Sequence, residues 1–274
     1  MKISFSTLAC PDGSVPQIVE IAARYGYDGI ELRFVEGEDS LWKLPAFAQG
    51  LAETKMLFKD RGLAIPCVDT SCRFHWVEEQ ERRLWIEEGE RMSDLAAALN
   101  SPGIRVFGDT IQPQADRAST QAWIADSIHT LAEKIEPKGV QVWLETHGDF
   151  SSSAGTKAII TGTKSSSVGV IWDPVNSFIA DNEQPRAGAA TLGPTIKHVH
   201  VKDVTRNSQG WTYELPGKGQ FPLRELLESL KALRYESFLS FEWEKKWHPE
   251  LADAEIALPH FANWFHRAYA NSQN

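Results

Sequence analysis

The chain is poor in cysteine, has no long apolar run and no excess of positive charge, and lacks a glycine-rich phosphate loop. Each shortage removes a class of protein. Three cysteines, Cys10, Cys67 and Cys72, occur in 274 residues. They are few and irregularly spaced, as expected of buried free thiols in a reducing compartment. No apolar run approaches the roughly 18 residues needed to cross a bilayer, and the opening Met1–Cys10 is too polar and short for a signal-peptide core. The expectation is a soluble cytoplasmic protein with no membrane partner. Lys and Arg number 28 against 37 Asp and Glu, a net charge of −9. With no basic run, phosphates are repelled and a nucleic-acid partner is disfavoured. No Gly-x-Gly-x-x-Gly follows the first apolar run, which weakens a dinucleotide-binding reading, and no phosphate cradle stands out. No linker divides the chain, so residues 1–274 read as one domain.

What is present is an alternation. Hydrophobic residues make up 42% of the chain, ten of them tryptophan. Short β-rich runs are expected at Ile3–Thr7, Gly29–Arg33, Ala64–Val68, Ile104–Phe107, Val140–Glu145, Val168–Trp172, His198–Val201 and Phe238–Glu242. Amphipathic stretches between them predict helices near Val15–Tyr25, Pro45–Arg61, Glu78–Leu99, Thr120–Glu136, Thr156–Thr163, Arg186–Gly193, Leu223–Leu233 and Ala252–Ala270. Pro16 suits an early helical position, and Gly26 and Gly62 follow helices as left-handed terminators do. Strict β-α alternation argues a parallel sheet with helices outside. Eight such units in a chain of this length predict an α/β fold, a single-domain (β/α)8 TIM barrel. The stretch Thr205–Phe221 after the seventh run reads as an active-site loop.

Four runs end in a metal-binding side chain: Val-Trp-Leu-Glu145, Val-Ile-Trp-Asp173, His-Val-His200 and Leu-Ser-Phe-Glu242. In a closed barrel, reacting groups gather where strands end. Residues two apart on a strand share a face, which groups Trp143 with Glu145 and His147, His198 with His200 and Lys202, and Ser240 with Glu242 and Glu244. Three buried carboxylates beside one imidazole repel strongly without a cation. Carboxylate-rich ligation suits Mn²⁺, Mg²⁺ or Co²⁺; Zn²⁺ is admissible but prefers more nitrogen or sulfur. One divalent ion, with Mn²⁺ favoured, is the expected cofactor, and His198 is expected to pack or orient rather than ligate.

The motifs Tyr27-Asp-Gly-Ile-Glu31-Leu-Arg33, Leu144-Glu145, Trp172-Asp173-Pro174, His198-Val-His200-Val-Lys-Asp203 and Phe241-Glu242-Trp-Glu resemble the xylose-isomerase-like superfamily over nearly the whole chain. The branch is similar to the sugar phosphate isomerase/epimerase group, which includes ketose 3-epimerases, inosose-type enzymes and 3-dehydroshikimate dehydratases. The resemblance implies that Glu145, Asp173, His200 and Glu242 bind one divalent metal, with Glu145 and Glu242 also moving the proton. It implies a sugar, sugar-phosphate or polyol-ketone substrate that binds the metal through its carbonyl. Proton abstraction next to that carbonyl gives an enediolate, and isomerisation or epimerisation follows. The alternative is a lyase or dehydratase of the inosose, 3-dehydroshikimate or 3-keto-glycoside type; a non-catalytic sugar-binding barrel is the third reading.

Departures from the ketose 3-epimerases matter. Ser151 stands where they place a further glutamate, and Asn176 where they place a histidine, which puts a strict ketohexose 3-epimerase in doubt. A DNA-repair endonuclease would need more histidines. Candidate substrate contacts are Glu31, Arg33, His147, Asn176, Lys202 and Arg206. His147 and Lys202 are also acid–base candidates, while Glu31 and Arg33 alternatively form a salt bridge across the mouth. Asp69 and His75 are weaker candidates. Trp247 is expected to shield the site, with Trp42, Trp76 and Trp211 as lid candidates. A small carbohydrate or polyol is the expected partner, and the sequence leaves room for a homo-oligomer.

Overall fold

Eight of the ten strands among the described residues are short and buried on both faces, as parallel strands covered by helices must be. A computed structural model describes residues 1–271. The eight are β1 (Lys2–Ser6), β2 (Gly29–Glu31), β3 (Val68–Arg73), β4 (Gly103–Phe107), β5 (Gln141–Glu145), β6 (Val168–Trp172), β7 (Ile196–Val201) and β10 (Phe238–Phe241). They form one sheet in the order β2-β1-β10-β7-β6-β5-β4-β3, and every pairing is parallel. Bridges Gly29↔Ala64 and Leu32↔Val68 join its two edges. Asp69 N–H donates to the Leu32 carbonyl at 2.7 Å across that seam. The result is the expected (β/α)8 barrel.

Helices α1 (Val15–Arg24), α2 (Leu51–Asp60), α3 (Glu79–Ala98), α4 (Arg117–Ile135), α5 (Ser153–Gly162), α6 (Pro174–Asp181), α7 (Pro185–Leu192), α8 (Leu223–Ala232) and α9 (Ala254–Asn271) lie between and after the strands. Helix α1 shows how the local signals act. Ser14 and Gln17 make a capping box, Pro16 sits in the first turn, and Ile18, Val19 and Ala22 are buried. Gly26 ends it at φ +73 and Gly62 ends α2 at φ +66, as the sequence suggested.

Three elements differ from the sequence reading. The third strand starts at Val68 rather than Ala64, because Pro66 has no N–H for a ladder and leaves Ala64 only an isolated bridge. Asp173, read purely as a ligand, also caps an unanticipated helix, α6, with Pro174 in its first turn. The expected loop at Thr205–Phe221 begins as an antiparallel hairpin of β8 (Asp203–Asn207) and β9 (Gly210–Glu214). Its return segment is tied down by Asp203, whose carboxylate accepts from the N–H groups of Val204, Gly217, Gly219 and Phe221.

Candidate metal centre

Strands β5, β6, β7 and β10 are neighbours in the sheet, so their last residues meet. Donor atoms of Glu145, Asp173, His200 and Glu242 lie within 4.8 Å of one another, and all four residues are buried. His200 Nδ1 stands 3.2 Å from Glu242 Oε2, 3.5 Å from Glu145 Oε1 and 3.9 Å from Asp173 Oδ2. Three of these converging atoms, His200 Nδ1, Asp173 Oδ2 and Glu242 Oε2, make no hydrogen bond, and the two oxygens are answered from outside the four residues by the ion-paired ammonium of Lys202. Buried polar atoms are rarely left so. A divalent ion satisfies all of them at once, and three oxygens with one nitrogen suit such an ion.

Each ligand is held from behind. Asp173 Oδ1 accepts the N–H groups of Val175 and Asn176 at 2.9 and 3.1 Å, which turns Oδ2 inward. Thr146 Oγ1 fixes the same corner through Asp173 N–H and the Asp173 carbonyl. Glu31, wholly buried, accepts from His200 Nε2 and His198 Nε2, both at 2.8 Å. The first contact leaves His200 Nδ1 as the face toward the ion, the arrangement by which a carboxylate orients a ligand imidazole. Glu31 was expected against substrate hydroxyls; both of its oxygens instead serve the histidines beneath the quartet. His198 shares the contact with Glu31 and lies outside the four-residue group.

A residue absent from the sequence reading lies at the centre. Arg105, in the middle of β4 and fully buried, places Nη1 3.0 Å from Glu145 Oε2, 3.5 Å from Glu242 Oε1 and 3.4 Å from Asp69 Oδ2. Each glutamate thus turns one oxygen to Arg105 and the other to His200. The signal was a lone arginine inside the apolar run Gly-Ile-Arg-Val-Phe. A cation can occupy such a place only when buried acids answer it. Lys202 Nζ lies 2.8 Å from Asp173 Oδ2 and 2.6 Å from Glu242 Oε2, and it donates to Glu244, which also accepts from Tyr213 of the hairpin.

The charges set the proton affinities. Burial opposes a charged His200, but Glu242, Glu31 and Glu145 outweigh it and hold the ring well above the ordinary imidazole range. Burial pushes the Asp173 carboxyl up to about 6, against the pull of Lys202. Burial likewise pushes Asp69 well above the carboxylate range, with Glu31 acting in the same direction and Arg105 opposing.

A cavity of about 210 Å³ opens above the quartet, lined among others by Arg33, Arg73, Arg105, His147, Lys202 and Trp247. His147 packs on Phe107 and faces Asp109, whose Oδ1 is 3.6 Å from its Nδ1. The close approach needs Gly148: at φ +60, a Cβ there would come within 2.5 Å of the Asp109 carbonyl. Burial opposes protonation of His147, but Asp109 and Glu145 raise its pKa above the usual value. Two expected substrate contacts lie elsewhere. Asn176 Nδ2 donates to the Thr146 carbonyl at 3.0 Å and supports the Asp173 corner. Arg206 is exposed on the hairpin, its guanidinium 5.7 Å from the Trp211 ring. Neither lines the cavity. Trp247 does line it, packed edge-on to Phe34. Trp42, Trp76 and Trp211 do not.

A strand-end cluster that could hold a divalent ion, with a cavity above it inside a closed (β/α)8 barrel, defines the class of barrel. A family profile described as Xylose isomerase-like TIM barrel matches residues 19–264, and the chain belongs to that family. Among curated proteins no match is found. The chain is similar in fold to the IolI protein with a binding zinc atom, at 18% identity and TM-score 0.83, over 99% of each chain. It is also similar to an L-ribulose 3-epimerase, at 15% identity and TM-score 0.82, over 99% of this chain and 95% of that one. A third is the probable 3-DHS dehydratase AsbF of Bacillus anthracis, at 18% identity and TM-score 0.79, over 96% and 98%. At these identities the likeness carries the fold and not the reaction. No helix among the described residues is long and apolar enough to cross a membrane.

Proposed function

We propose that the protein is a divalent-metal-dependent isomerase or epimerase of a small sugar or polyol-ketone, working by proton transfer at the carbon beside a carbonyl through an enediolate. The observation that carries this reading is the matched pair of glutamates, each held between Arg105 and His200. A divalent ion, Mn²⁺ by the oxygen-rich donor set, supplies Lewis acidity toward the carbonyl when bound. Glu145 and Glu242 do the proton work, one taking the proton and the other returning it. Arg105 keeps both ionised: against burial, it lowers the pKa of Glu145 and helps His200 and Lys202 lower that of Glu242. Lys202, opposed by burial but held well above the usual lysine range by Asp173, Glu242 and Glu244, serves as a fixed charge beside the reacting oxygens. The free cysteines suit a reducing cytoplasm.

One feature favours a lyase as the second reading. His147 lines the cavity beside Glu145 with its pKa raised, in place to protonate a leaving group. Incubation of the Mn²⁺-loaded protein in D₂O with a panel of keto-sugars and polyol-ketones separates the readings. Deuterium is expected at the carbon beside the carbonyl, with Glu145→Gln and Glu242→Gln each slowing the exchange about 10²–10⁴-fold. Exchange accompanied by release of water or an aglycone makes the protein a lyase. No exchange with any substrate refutes both.

A further inference from the structure

The cavity lining holds four permanent cations, Arg33, Arg73, Arg105 and Lys202, and four carboxylates, Asp109, Glu145, Glu242 and Glu244. Those charges cancel. Asp173, Asp69 and Asp39 stand directly behind that lining, against Lys202, Arg105 and Arg33, so the site stays close to neutral when a divalent ion is added at the quartet. What can receive an oxyanion is therefore a local group rather than the charge of the whole cavity.

The geometry shows where the anion would sit. Arg33 lies two residues past the end of β2 and is 5% exposed. Its Nη2 donates to Ser71 Oγ at 2.7 Å, but Nη1 has no hydrogen-bond partner and stands 3.7 Å from Asp39 Oδ2, too far for one. Arg73, at the end of β3, donates from Nε to the carbonyl of the same Ser71 at 3.4 Å and from Nη1 to Asp109 at 3.1 Å. Ser71 therefore links the two side chains, while its hydroxyl donates to Asp39 at 2.6 Å. Both arginines line the cavity on the side of the barrel away from β6 and β7. Burial, with Arg105 nearby, lowers the Arg33 pKa to about 10, against the opposing pull of Asp69, Asp39 and Glu145.

We propose that the substrate carries an oxyanion, a carboxylate or a phosphate, bound by Arg33 and Arg73 across the cavity from the metal quartet. Paired guanidinium donors match the planar oxygens of a carboxylate and also serve phosphate. The inference rests on the metal-site reading only for the position of the reacting carbonyl; the anion subsite belongs to the first half of the chain and is testable without it.

The test is calorimetric titration of the protein, with and without Mn²⁺, using propionate, methyl phosphate and the neutral propionamide. The two anions bind metal ions weakly themselves. Expected is saturable binding of an anion, none of propionamide, and a loss of about tenfold or more in Arg33→Gln and in Arg73→Gln, with Mn²⁺ affinity kept. Arg73 is half-exposed, so its variant remains informative if removal of buried Arg33 harms folding. Tighter propionate assigns a carboxylate, and tighter methyl phosphate a phosphate. Equal binding of propionate and propionamide, no binding of either anion, or full anion affinity in both variants overturns the proposal. Failure of Mn²⁺ to bind while the anion binds overturns the metal reading and leaves this one standing.

Discussion

The two sides of the barrel mouth carry opposite chemistry. Glu145, Asp173, His200 and Glu242 stand at or just past the ends of strands β5, β6, β7 and β10, and their donor atoms converge. Strands β2, β3 and β4 contribute Arg33, Arg73 and Arg105 to the same cavity. One side gathers the acids and imidazole that could hold a cation, and the other holds the first side in place. Arg105 joins them, because its Nη1 reaches Glu145 and Glu242 from the basic side. A mouth of one sign would need its ion in order to fold; a mouth of two signs keeps its ligands positioned, and Glu145 and Glu242 ionised, before the ion arrives.

The largest effect expected from breaking this arrangement is on stability. Arg105→Met leaves Asp69, Glu145 and Glu242 without their shared cation. Removing one partner of a buried ion pair costs about 3–5 kcal/mol, and a chain of this size should lose roughly 6–20 °C of melting temperature. Scanning calorimetry with and without Mn²⁺ should show part of the loss recovered by the ion. An unchanged midpoint in metal-free protein would mean that the basic side does not support the acidic one.

A smaller effect is expected from below the quartet. Glu31→Gln keeps the shape but weakens the hold on His200 Nε2, and should lower Mn²⁺ affinity about 10–100-fold with the fold intact by circular dichroism. An unaltered affinity would return Glu31 to the role of a substrate contact. The smallest effect is expected at the hairpin. Arg206→Ala, exposed against Trp211, should change the deuterium exchange rate by no more than about twofold, as for a surface substitution. A drop of a hundredfold would place the hairpin over the cavity during turnover.

The acidic side was legible in the sequence because each ligand closes an apolar run, and a period of two then aligns it with Lys202 or Glu244 along the strand. The barrel itself was legible from β-α alternation. The basic side was not, since Arg105 interrupts a run rather than ending it, and its meaning depends on acids 36 and 40 residues away in sequence, at Asp69 and Glu145. Glu31 and Arg33 looked alike as neighbours at one strand end, yet they face different layers: Glu31 points under the quartet and Arg33 into the cavity. Arg206 was misplaced because similarity fixed its position along the chain, whereas β8 carries it outward on the hairpin. Helix α6 was announced by Asp173-Pro174, an N-cap followed by proline, but the same aspartate already read as a ligand.

Titration of metal-free protein with Mn²⁺, followed by calorimetry in buffers of different ionisation enthalpy, tests the central claim most directly. His200 held above the imidazole range and Asp173 raised to about 6 both have to shed protons to ligate. Affinity should therefore rise with pH between about 5 and 8, with net proton release on binding. One equivalent of Mn²⁺ per chain is expected, weakened by more than about tenfold in each of Glu145→Gln, Asp173→Asn, His200→Gln and Glu242→Gln. No binding, or binding that is indifferent to pH and to all four substitutions, would contradict it.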